Sequence, residues 1–392
     1  MTAPAATHRF STRTAGLLAA AGLAAALPAA ANAATGGTFS SVAPTVTAVE
    51  CLTSCSGIDV VRPGGTIRLT GRDLGTARTA AFRGRAGSAD DVTAPILRRT
   101  ATTATVAVPA GARTGPLAVI NSDGLASAAR LTVAIDRGAG SAPAGAAVEA
   151  KVATRTVFYA GRRKARLSYV LQGTEPAKIS IGLVHVASGR LVRSWEPGVV
   201  APGTARELVW DGHAKDRSVA PEGRYRFRVV VGSSPAGGAR SAVATAAASQ
   251  FTFLRHIFPI RGPHDYGTFV NRFGGGRNHG GQDVLASCGT ALVAARGGKV
   301  VVAGFESGGG GNTVVIDGAG TNLVYVYYHM RDQPLVRVGQ HVWTGQLIGF
   351  VGSTGSSTAC HLHLELHRGG QWYDDSRAFD PLPSLKAWDR LT

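Results

Sequence analysis

The stretch His361-Leu362-His363-Leu364-Glu365-Leu366-His367 alternates polar and apolar residues without a break. Successive side chains of a β-strand point to opposite faces, so this pattern predicts a strand whose leucine face lies in a core. The other face presents three histidines and a glutamate. His361 and His363 would stand about 7 Å apart, from a rise of roughly 3.3 Å per residue. One imidazole can then bind a metal ion while its neighbour stands beside the bound water, although a polar strand face is often only solvated.

A second histidine motif, His279-Gly280-Gly281-Gln282-Asp283, lies some eighty residues earlier. Residues four apart share a face in a helix and also in an extended segment, and the Gly-Gly pair weakens the helical alternative. In either conformation His279 and Asp283 can address one ion. Together with His363 they make a set of two histidines and one carboxylate, which in catalytic zinc sites leaves a coordination position open for water. A Tyr-rich run ending in His329 offers one more imidazole.

The rest of the chain predicts an all-β protein in three parts. In residues 256–385, apolar runs such as 299–303, 313–316 and 324–328 alternate with glycine turns, which indicates a glycine-rich antiparallel sheet. No helical pattern of convincing length is present there. Two further β-rich segments, residues 44–135 and 148–254, come before it, and residues 136–147 between them have the composition of a flexible linker.

Each of the two upstream segments resembles an immunoglobulin-like domain. Residues 44–135 contain Gly64-Gly65-Thr66 and Phe82-Arg83-Gly84 and resemble IPT/TIG domains. Residues 148–254 contain Trp210-Asp211-Gly212 and Pro221-Glu222-Gly223 and resemble the Ig-like domain of flagellar hook-capping proteins. These resemblances imply two β-sandwiches that serve as spacers or wall-binding modules, with Trp210 in a core. We assign no function to the histidines of this part, His185 and His213.

The histidine motifs of the C-terminal part resemble those of the M23 peptidases, the lysostaphin/LytM-like zinc endopeptidases of bacterial cell walls. The similarity covers roughly residues 259–383, and five motifs occur in the family's order. It implies that His279, Asp283 and His363 bind Zn²⁺ and that His329 and His361 orient and deprotonate the water. Four other histidines have no match in the motifs and are expected at the surface or behind the ligands: His256, His264, His341 and His367.

The four cysteines are expected to pair if the chain is exported. Cys51 and Cys55 are close enough in sequence to close a small loop, which leaves Cys288 and Cys360 for a second bridge. The alternative of Cys360 as a zinc ligand is disfavoured, because it points to the opposite strand face from His361. We therefore expect two structural disulfides.

Residues 1–33 have the features of a secretory signal peptide. His8, Arg9 and Arg13 precede an apolar run, residues 15–27, and Ala31-Asn32-Ala33 is a cleavage signal. The run is shorter than the roughly 20 residues that a membrane span requires, and no later segment is predicted to cross a bilayer.

The net charge of +17 falls to +15 without these residues, because they hold two arginines and no acid. A basic secreted protein is attracted to polyanions, and we expect peptidoglycan and anionic cell-wall polymers as partners. A nucleic-acid partner is not expected, since the chain shows no array of stacking aromatics typical of nucleic-acid modules.

The sequence thus predicts a secreted zinc metalloendopeptidase that hydrolyses peptide bonds in peptidoglycan cross-links or stem peptides. One alternative is a catalytically silent wall-binding module or an activator of other hydrolases. Another is a non-haem iron oxygenase, which also uses two histidines and a carboxylate but usually with a different spacing. The bond cleaved, the role of the upstream domains and the oligomeric state stay open at this point.

Overall fold

The computed structural model describes residues 42–84, 90–137, 146–232, 242–244, 250–276 and 279–392. The expected signal peptide, residues 1–33, and most of the expected linker, residues 136–147, lie outside this part of the chain. Nearly all of the regular secondary structure in the described part is β-strand, which confirms the all-β fold class. Within it, no helix has the length and apolar character needed to cross a bilayer.

In the first β region, residues 42–137, eight strands are hydrogen-bonded to one another in the order β1-β3-β6-β5-β4-β7-β8-β2. Neighbouring strands are antiparallel except β2 and β8, which are parallel. The strands enclose an apolar core around Ile67, Leu69 and Phe82. Their bounds are β1 (Thr45–Cys51), β2 (Val60–Val61), β3 (Thr66–Arg72), β4 (Ala77–Phe82), β5 (Val92–Arg99), β6 (Thr103–Ala107), β7 (Gly115–Asn121) and β8 (Leu131–Ile135).

The second β region, residues 146–255, contains two sheets that share one core. One sheet has the order β14-β11-β9, and the other has the order β10-β17-β15-β12-β13, with β16 paired to β15. Trp210 is buried between them against Tyr225 and Phe253, so its expected core position is confirmed. The strands are β9 (Ala147–Val152), β10 (Thr156–Phe158), β11 (Ala165–Gln172), β12 (Ala177–His185), β13 (Leu191–Val200), β14 (Arg206–Trp210), β15 (Gly223–Val231), β16 (Ala242–Ala244) and β17 (Gln250–Leu254).

The C-terminal region, residues 256–392, is organised by an antiparallel sheet in the order β18-β19-β26-β23-β22-β21-β24, with β27 paired to β26. A small ladder of β20 and β25 lies beside it. Its elements are β18 (His264–Asp265), β19 (Gln282–Ala286), β20 (Ala291–Val293), β21 (Gly298–Glu306), β22 (Gly311–Gly318), β23 (Leu323–Met330), β24 (His341–Val342), β25 (Leu347–Phe350), β26 (His361–Arg368), β27 (Ala378–Phe379) and α1 (Leu382–Asp389).

Helix α1 was not expected from the sequence. It is short, but Asp380 Oδ1 accepts a hydrogen bond from the amide of Leu382 and Pro381 precedes the first turn, both typical of a helix start. Its apolar residues Leu385 and Trp388 are buried against the sheet core. The Asp-Pro pair is the signal that could have revealed this helix.

The alternation of residues 361–367 sets the faces of β26. Leu362, Leu364 and Leu366 are at most 1% exposed and lie in the core, as the sequence predicted. The histidine face of the same strand is therefore turned to the other side of the sheet. The structure also joins Cys51 to Cys55 and Cys288 to Cys360, the two pairs expected from the sequence. The second bridge links the chain just after β19 to the residue just before β26.

The assignment of the first and second β regions to immunoglobulin-like families, and the exact domain limits, stay predictions.

Candidate metal centre

The centre is built on three adjacent strands, β19, β26 and β23. Asp283 of β19 lies directly opposite His363 of β26, and Tyr328 of β23 lies opposite His363 on the other side. Directly opposite residues have Cβ atoms about 4.5–5.5 Å apart, so their side chains meet on one face. His363 Nδ1 lies 2.9 Å from Asp283 Oδ1.

His279 reaches the same point from the turn before β19. This turn is not helical, so His279 and Asp283 are brought together by extended backbone. His279 Nε2 lies 3.1 Å from Asp283 Oδ1 and 2.9 Å from His363 Nδ1. Three potential ligand atoms from two histidines and one aspartate thus converge, and this trio could hold a metal ion.

The remaining ring nitrogens of the two histidines are bound to protein oxygens. His279 Nδ1 lies 3.1 Å from the carbonyl oxygen of Arg272, and His363 Nε2 lies 3.0 Å from Glu365 Oε1. A ring N–H that donates to such an oxygen leaves the opposite nitrogen unprotonated and able to bind a metal. Asn271 Nδ2 donates to the second carboxylate oxygen of Asp283 at 3.3 Å. The trio is therefore held by a surrounding set of hydrogen bonds.

Glu365 extends this set deeper into the domain. Its second carboxylate oxygen lies 2.8 Å from His367 Nε2, and His367 Nδ1 lies 3.3 Å from the carbonyl oxygen of Asp374. His367 is fully buried, so of the two positions expected for it, surface or behind the ligands, the structure has the second. Glu365 was noted in the strand pattern but given no role, although its place two residues after His363 on the same face was the signal for one.

His329 enters the centre from the end of β23 with an unusual backbone. Its φ of 60° lies in the left-handed region, which is uncommon for residues other than glycine and is typically found at functional sites. The amide of His329 donates to the carbonyl of Gly310 at 2.8 Å, and its ring Nδ1 lies 2.8 Å from the carbonyl oxygen of Thr354. These contacts fix the imidazole and leave Nε2 as the unprotonated nitrogen.

His361 has the same kind of arrangement. Its Nδ1 lies 2.8 Å from the carbonyl oxygen of Ala359, while Nε2 lies 3.4 Å from Asp283 Oδ1. The rings of His329 and His361 are 4.7 Å apart between centroids. His329, His361 and His363 form a second trio of potential ligands that shares His363 with the first. The two imidazoles that are not in the first trio thus lie beside it.

The electrostatics of the centre favour a bound cation. Burial tends to raise the pKa of Asp283, but hydrogen bonds with His279, His361 and His363 outweigh it and hold that pKa well below its usual range. Burial lowers the pKa of His363, yet hydrogen bonds to Asp283 and Glu365 outweigh burial and raise it to about 9. Without a metal, a proton on His363 therefore balances the two carboxylates.

His329 differs from His363 in its protonation. Burial is the main cause that lowers the pKa of His329 to about 4, and the nearby His361 and His363 add to it. The ring is therefore neutral at pH 7 and can accept a proton.

The centre lines one wall of an open cleft of about 1080 Å³. The other walls are the glycine-rich turn at residues 308–310 and the loops at residues 270–276 and 355–359. Gly281 lies close to His363 and Glu365. A Cβ atom there would lie 2.7 Å from His363 Nε2 and 2.9 Å from Glu365 Cγ, so no side chain fits beside this pair.

The other histidines of the C-terminal region lie away from these trios. His256 stacks on Trp388 and its Nε2 lies 2.8 Å from the hydroxyl of Tyr325. His264 Nε2 lies 3.2 Å from a carboxylate oxygen of Asp389, and His341 is exposed. Five of the eight histidines of this region therefore lie at the centre. Four of them belong to the two trios, and His367 contacts Glu365 behind them.

The fold and the centre thus define a β-rich domain with a candidate metal site in an open cleft. Residues 277–375 match the model of peptidase family M23. This family is zinc-dependent.

Similar proteins include lysostaphin from Staphylococcus simulans, which is 39% identical over 125 residues, 32% of this chain and 24% of that protein. The L-Ala–D-Glu endopeptidase of Bacillus subtilis is 34% identical over 148 residues, 34% of this chain and 44% of that protein. The solved catalytic domain of lysostaphin is 35% identical over 33% of this chain and 90% of that structure, with a TM-score of 0.26. The chain therefore spans about a quarter of the full length of lysostaphin and less than half of the Bacillus enzyme.

Proposed function

We propose that the protein is a secreted zinc metalloendopeptidase that hydrolyses peptide bonds in bacterial peptidoglycan, in cross-links or in stem peptides. The observation that carries this proposal is the convergence of His279, Asp283 and His363 on one point, with two further imidazoles beside it. The M23 peptidase domain supports the same reaction class.

The donor set suits zinc. Zinc is bound by histidine nitrogens at about 2.0–2.1 Å and by carboxylate oxygens at about 2.0–2.2 Å, so ligand atoms of a tetrahedral site lie roughly 3.3 Å apart. The three separations in the trio are 2.9, 2.9 and 3.1 Å, slightly shorter than that value. The ligand atoms would therefore move apart only slightly to hold the ion. We therefore assign His279 Nε2, Asp283 Oδ1 and His363 Nδ1 as the atoms that would hold the ion.

A bound zinc ion would lower the pKa of a water molecule toward about 7 and polarise the carbonyl of the scissile bond. The protein's own contribution is the movement of protons. The Nε2 atom of His329 is unprotonated, because its ring donates the Nδ1 proton to the carbonyl of Thr354. His329 Nε2 can accept a proton from the attacking water, and the resulting imidazolium can donate it to the amine that leaves, while His361 beside it would orient the water.

Peptidoglycan is proposed as the substrate because two similar proteins are a glycyl-glycine endopeptidase and an L-Ala–D-Glu endopeptidase. These two bonds differ, so the bond cleaved here has to be measured. The cleft is open and lined by glycine-rich turns, which leaves space for a peptide substrate beside the trio. Anionic wall polymers are the further partners that we propose from the basic charge.

Export is supported by the two disulfides, which form and persist in oxidising compartments outside the cytoplasm. The Cys288–Cys360 bridge ties the end of the Asp283 strand to the start of the His361 strand, so oxidation would steady the centre. We further propose that the first and second β regions are immunoglobulin-like domains that space the peptidase from the wall or bind it.

The test is digestion of purified sacculi by the zinc-loaded protein, followed by mass analysis of the released muropeptides. We expect soluble fragments whose masses identify one class of peptide bond, and no release by the His329→Ala protein. Intact sacculi after incubation with zinc-loaded protein would overturn the proposal and favour a silent binding module. Metal analysis of the protein as purified, before zinc is added, distinguishes zinc from the iron of an oxygenase.

A further inference from the structure

The positive charge of the protein is concentrated in one region. Residues 146–255 contain 17 Lys and Arg against 7 Asp and Glu, a net charge of +10. Residues 34–145 carry +4, and residues 256–392 carry only +1. A general bias of composition toward arginine would affect all three segments alike. The second β region therefore has a charge that the rest of the chain does not share.

The most concentrated cations of this region are on the turn before β11. Arg162, Arg163 and Lys164 are consecutive, and the two arginines are exposed. In the described part of the chain, none of the three forms a salt bridge or a side-chain hydrogen bond to an acid. Arg166 follows on the outer face of the same sheet, where it pairs with Glu207. We call Arg162, Arg163 and Lys164 the basic turn.

The basic turn is held against the C-terminal region by specific contacts. Thr344 Oγ1 donates to the carbonyl of Tyr159 at 2.6 Å, and the amide of Thr344 donates to the carbonyl of Ala160 at 3.1 Å. The Arg162 guanidinium lies 5.7 Å from the ring centroid of Trp343, within range of a cation–π contact. The turn is therefore a fixed surface, and an anion bound to it pays little to order the backbone.

This surface is far from the cleft. Strand β21 begins at Gly298, opposite Val342 next to Trp343, and ends at Glu306, which lines the cleft. Eight steps of about 3.3 Å along a strand separate the two ends by roughly 26 Å. A polymer held at the basic turn would leave the cleft open to a second strand of substrate.

From these observations we propose that the basic turn binds a phosphodiester-linked wall polymer and anchors the enzyme to it. The partner is a linear polyanion because the turn offers three consecutive cations, two of them exposed arginines. A nucleic acid is less suited, since single-stranded nucleic acids need exposed aromatic rings on which bases stack. Five aromatic rings of the second β region, Trp210, Tyr225, Phe227, Phe251 and Phe253, are buried in its core, and the partly exposed ring beside the basic turn, Trp343, is already in contact with Arg162.

The proposal rests on the wall setting of the proposed function but not on catalysis, so the two can fail separately. The experiment measures the binding of the purified protein to lipid-free poly(glycerol phosphate) at several salt concentrations. One variant replaces Arg162, Arg163 and Lys164 by Gln. A matched control replaces three exposed cations of the first β region, Arg72, Arg78 and Arg98, by Gln.

We expect the basic-turn variant to raise the Kd roughly 10- to 100-fold, since each cation near an anionic surface contributes on the order of a fivefold change. The control should change it less than about threefold, and binding of both should weaken with salt. Cleavage of a soluble stem peptide should be the same in all three proteins. Equal loss in both variants, no measurable binding, or tighter binding of single-stranded DNA of equal charge would overturn the proposal.

Discussion

The histidines of the second β region and those of the C-terminal region meet very different surroundings. In the second β region, His185 Nδ1 lies 2.8 Å from Ser188 Oγ, and His213 Nε2 lies 3.0 Å from the hydroxyl of Tyr159. Each ring has its own partners and no second imidazole. In the C-terminal region, His279, His361 and His363 all lie within 3.4 Å of one oxygen of Asp283.

This difference separates structural histidines from histidines suited to chemistry. A ring satisfied by a hydroxyl or a carbonyl stabilises the local fold and gains nothing from a cation. Several imidazole nitrogens directed at one carboxylate oxygen need a positive charge between them, which a proton or a metal ion can supply. The convergence of the rings, rather than the presence of histidine, is therefore what indicates function.

The largest effect on activity is expected when a residue of the first trio is replaced. Asp283→Asn and His363→Ala should each lower the rate of sacculus digestion by at least about 10³-fold, because the water would keep a pKa far above neutral without a bound zinc ion. His213→Ala, the matched change in the second β region, should leave the rate within about twofold. Comparable losses in all three proteins would mean that the convergence of the imidazoles on Asp283 does not distinguish catalytic from structural histidines.

A smaller effect is expected for an imidazole beside the trio. His329→Ala should lower the rate about 10²- to 10⁴-fold, the usual contribution of a positioned general acid or base. The measurement is kcat on a soluble stem peptide at pH 7, with circular dichroism as a check on folding. A rate close to that of the unchanged protein would assign proton transfer to His361 alone.

The residues behind the ligands should affect metal affinity more than folding. Glu365→Gln removes the charge that holds His363 Nε2 and should weaken zinc binding about 10- to 100-fold, as measured by competition with a chelator. Ser188→Ala removes the corresponding partner of His185 and should not change zinc binding. An unchanged zinc affinity in Glu365→Gln would show that the Glu365 contact is only structural.

The smallest effect concerns pH and a histidine outside both trios. Burial, with help from Arg296 and Arg255, lowers the pKa of His256 to about 3, whereas in the unfolded chain it is about 6.5. Between these values only the unfolded chain binds the proton, so the free energy of unfolding should fall as the pH drops below 6.5. The loss at pH 5 should be about 1 kcal/mol, since the side chain is only partly buried.

Urea unfolding of the wild-type and His256→Phe proteins at pH 7 and pH 5 measures this contribution. Phenylalanine keeps the contact with Trp388 and cannot titrate, so the variant should lose less stability between the two pH values. An identical loss in both proteins would mean that His256 titrates normally in the fold.

Much of the fold could be predicted from the sequence, because local patterns determine it. The alternation in residues 361–367 predicted the buried leucines, and the short apolar runs predicted the β-strands. The spacing of His279 and Asp283 allowed a shared face but did not decide between helix and strand. Helix α1 was missed because eight residues that include or adjoin two prolines, Pro381 and Pro383, carry little helical periodicity.

The sequence predicted which residues form the site but not how their backbone and hydrogen bonds are arranged. The left-handed backbone of His329 depends on Gly310 and Thr354, which are distant in sequence and packed by tertiary contacts. The rings of His279 and His361 donate to the backbone carbonyls of Arg272 and Ala359, and no side-chain motif encodes these acceptors. The concentration of charge in the second β region is visible in the sequence, yet its place beside Trp343 follows only from the fold.

The most direct test of the account is the zinc content of five purified proteins by inductively coupled plasma mass spectrometry. The account predicts one zinc ion per chain in the wild-type, His329→Ala and His361→Ala proteins, and less than about a tenth of that in Asp283→Asn and His363→Ala. Zinc lost from His329→Ala and His361→Ala but kept in Asp283→Asn would contradict this, because the ion would then be held by the second trio, His329, His361 and His363.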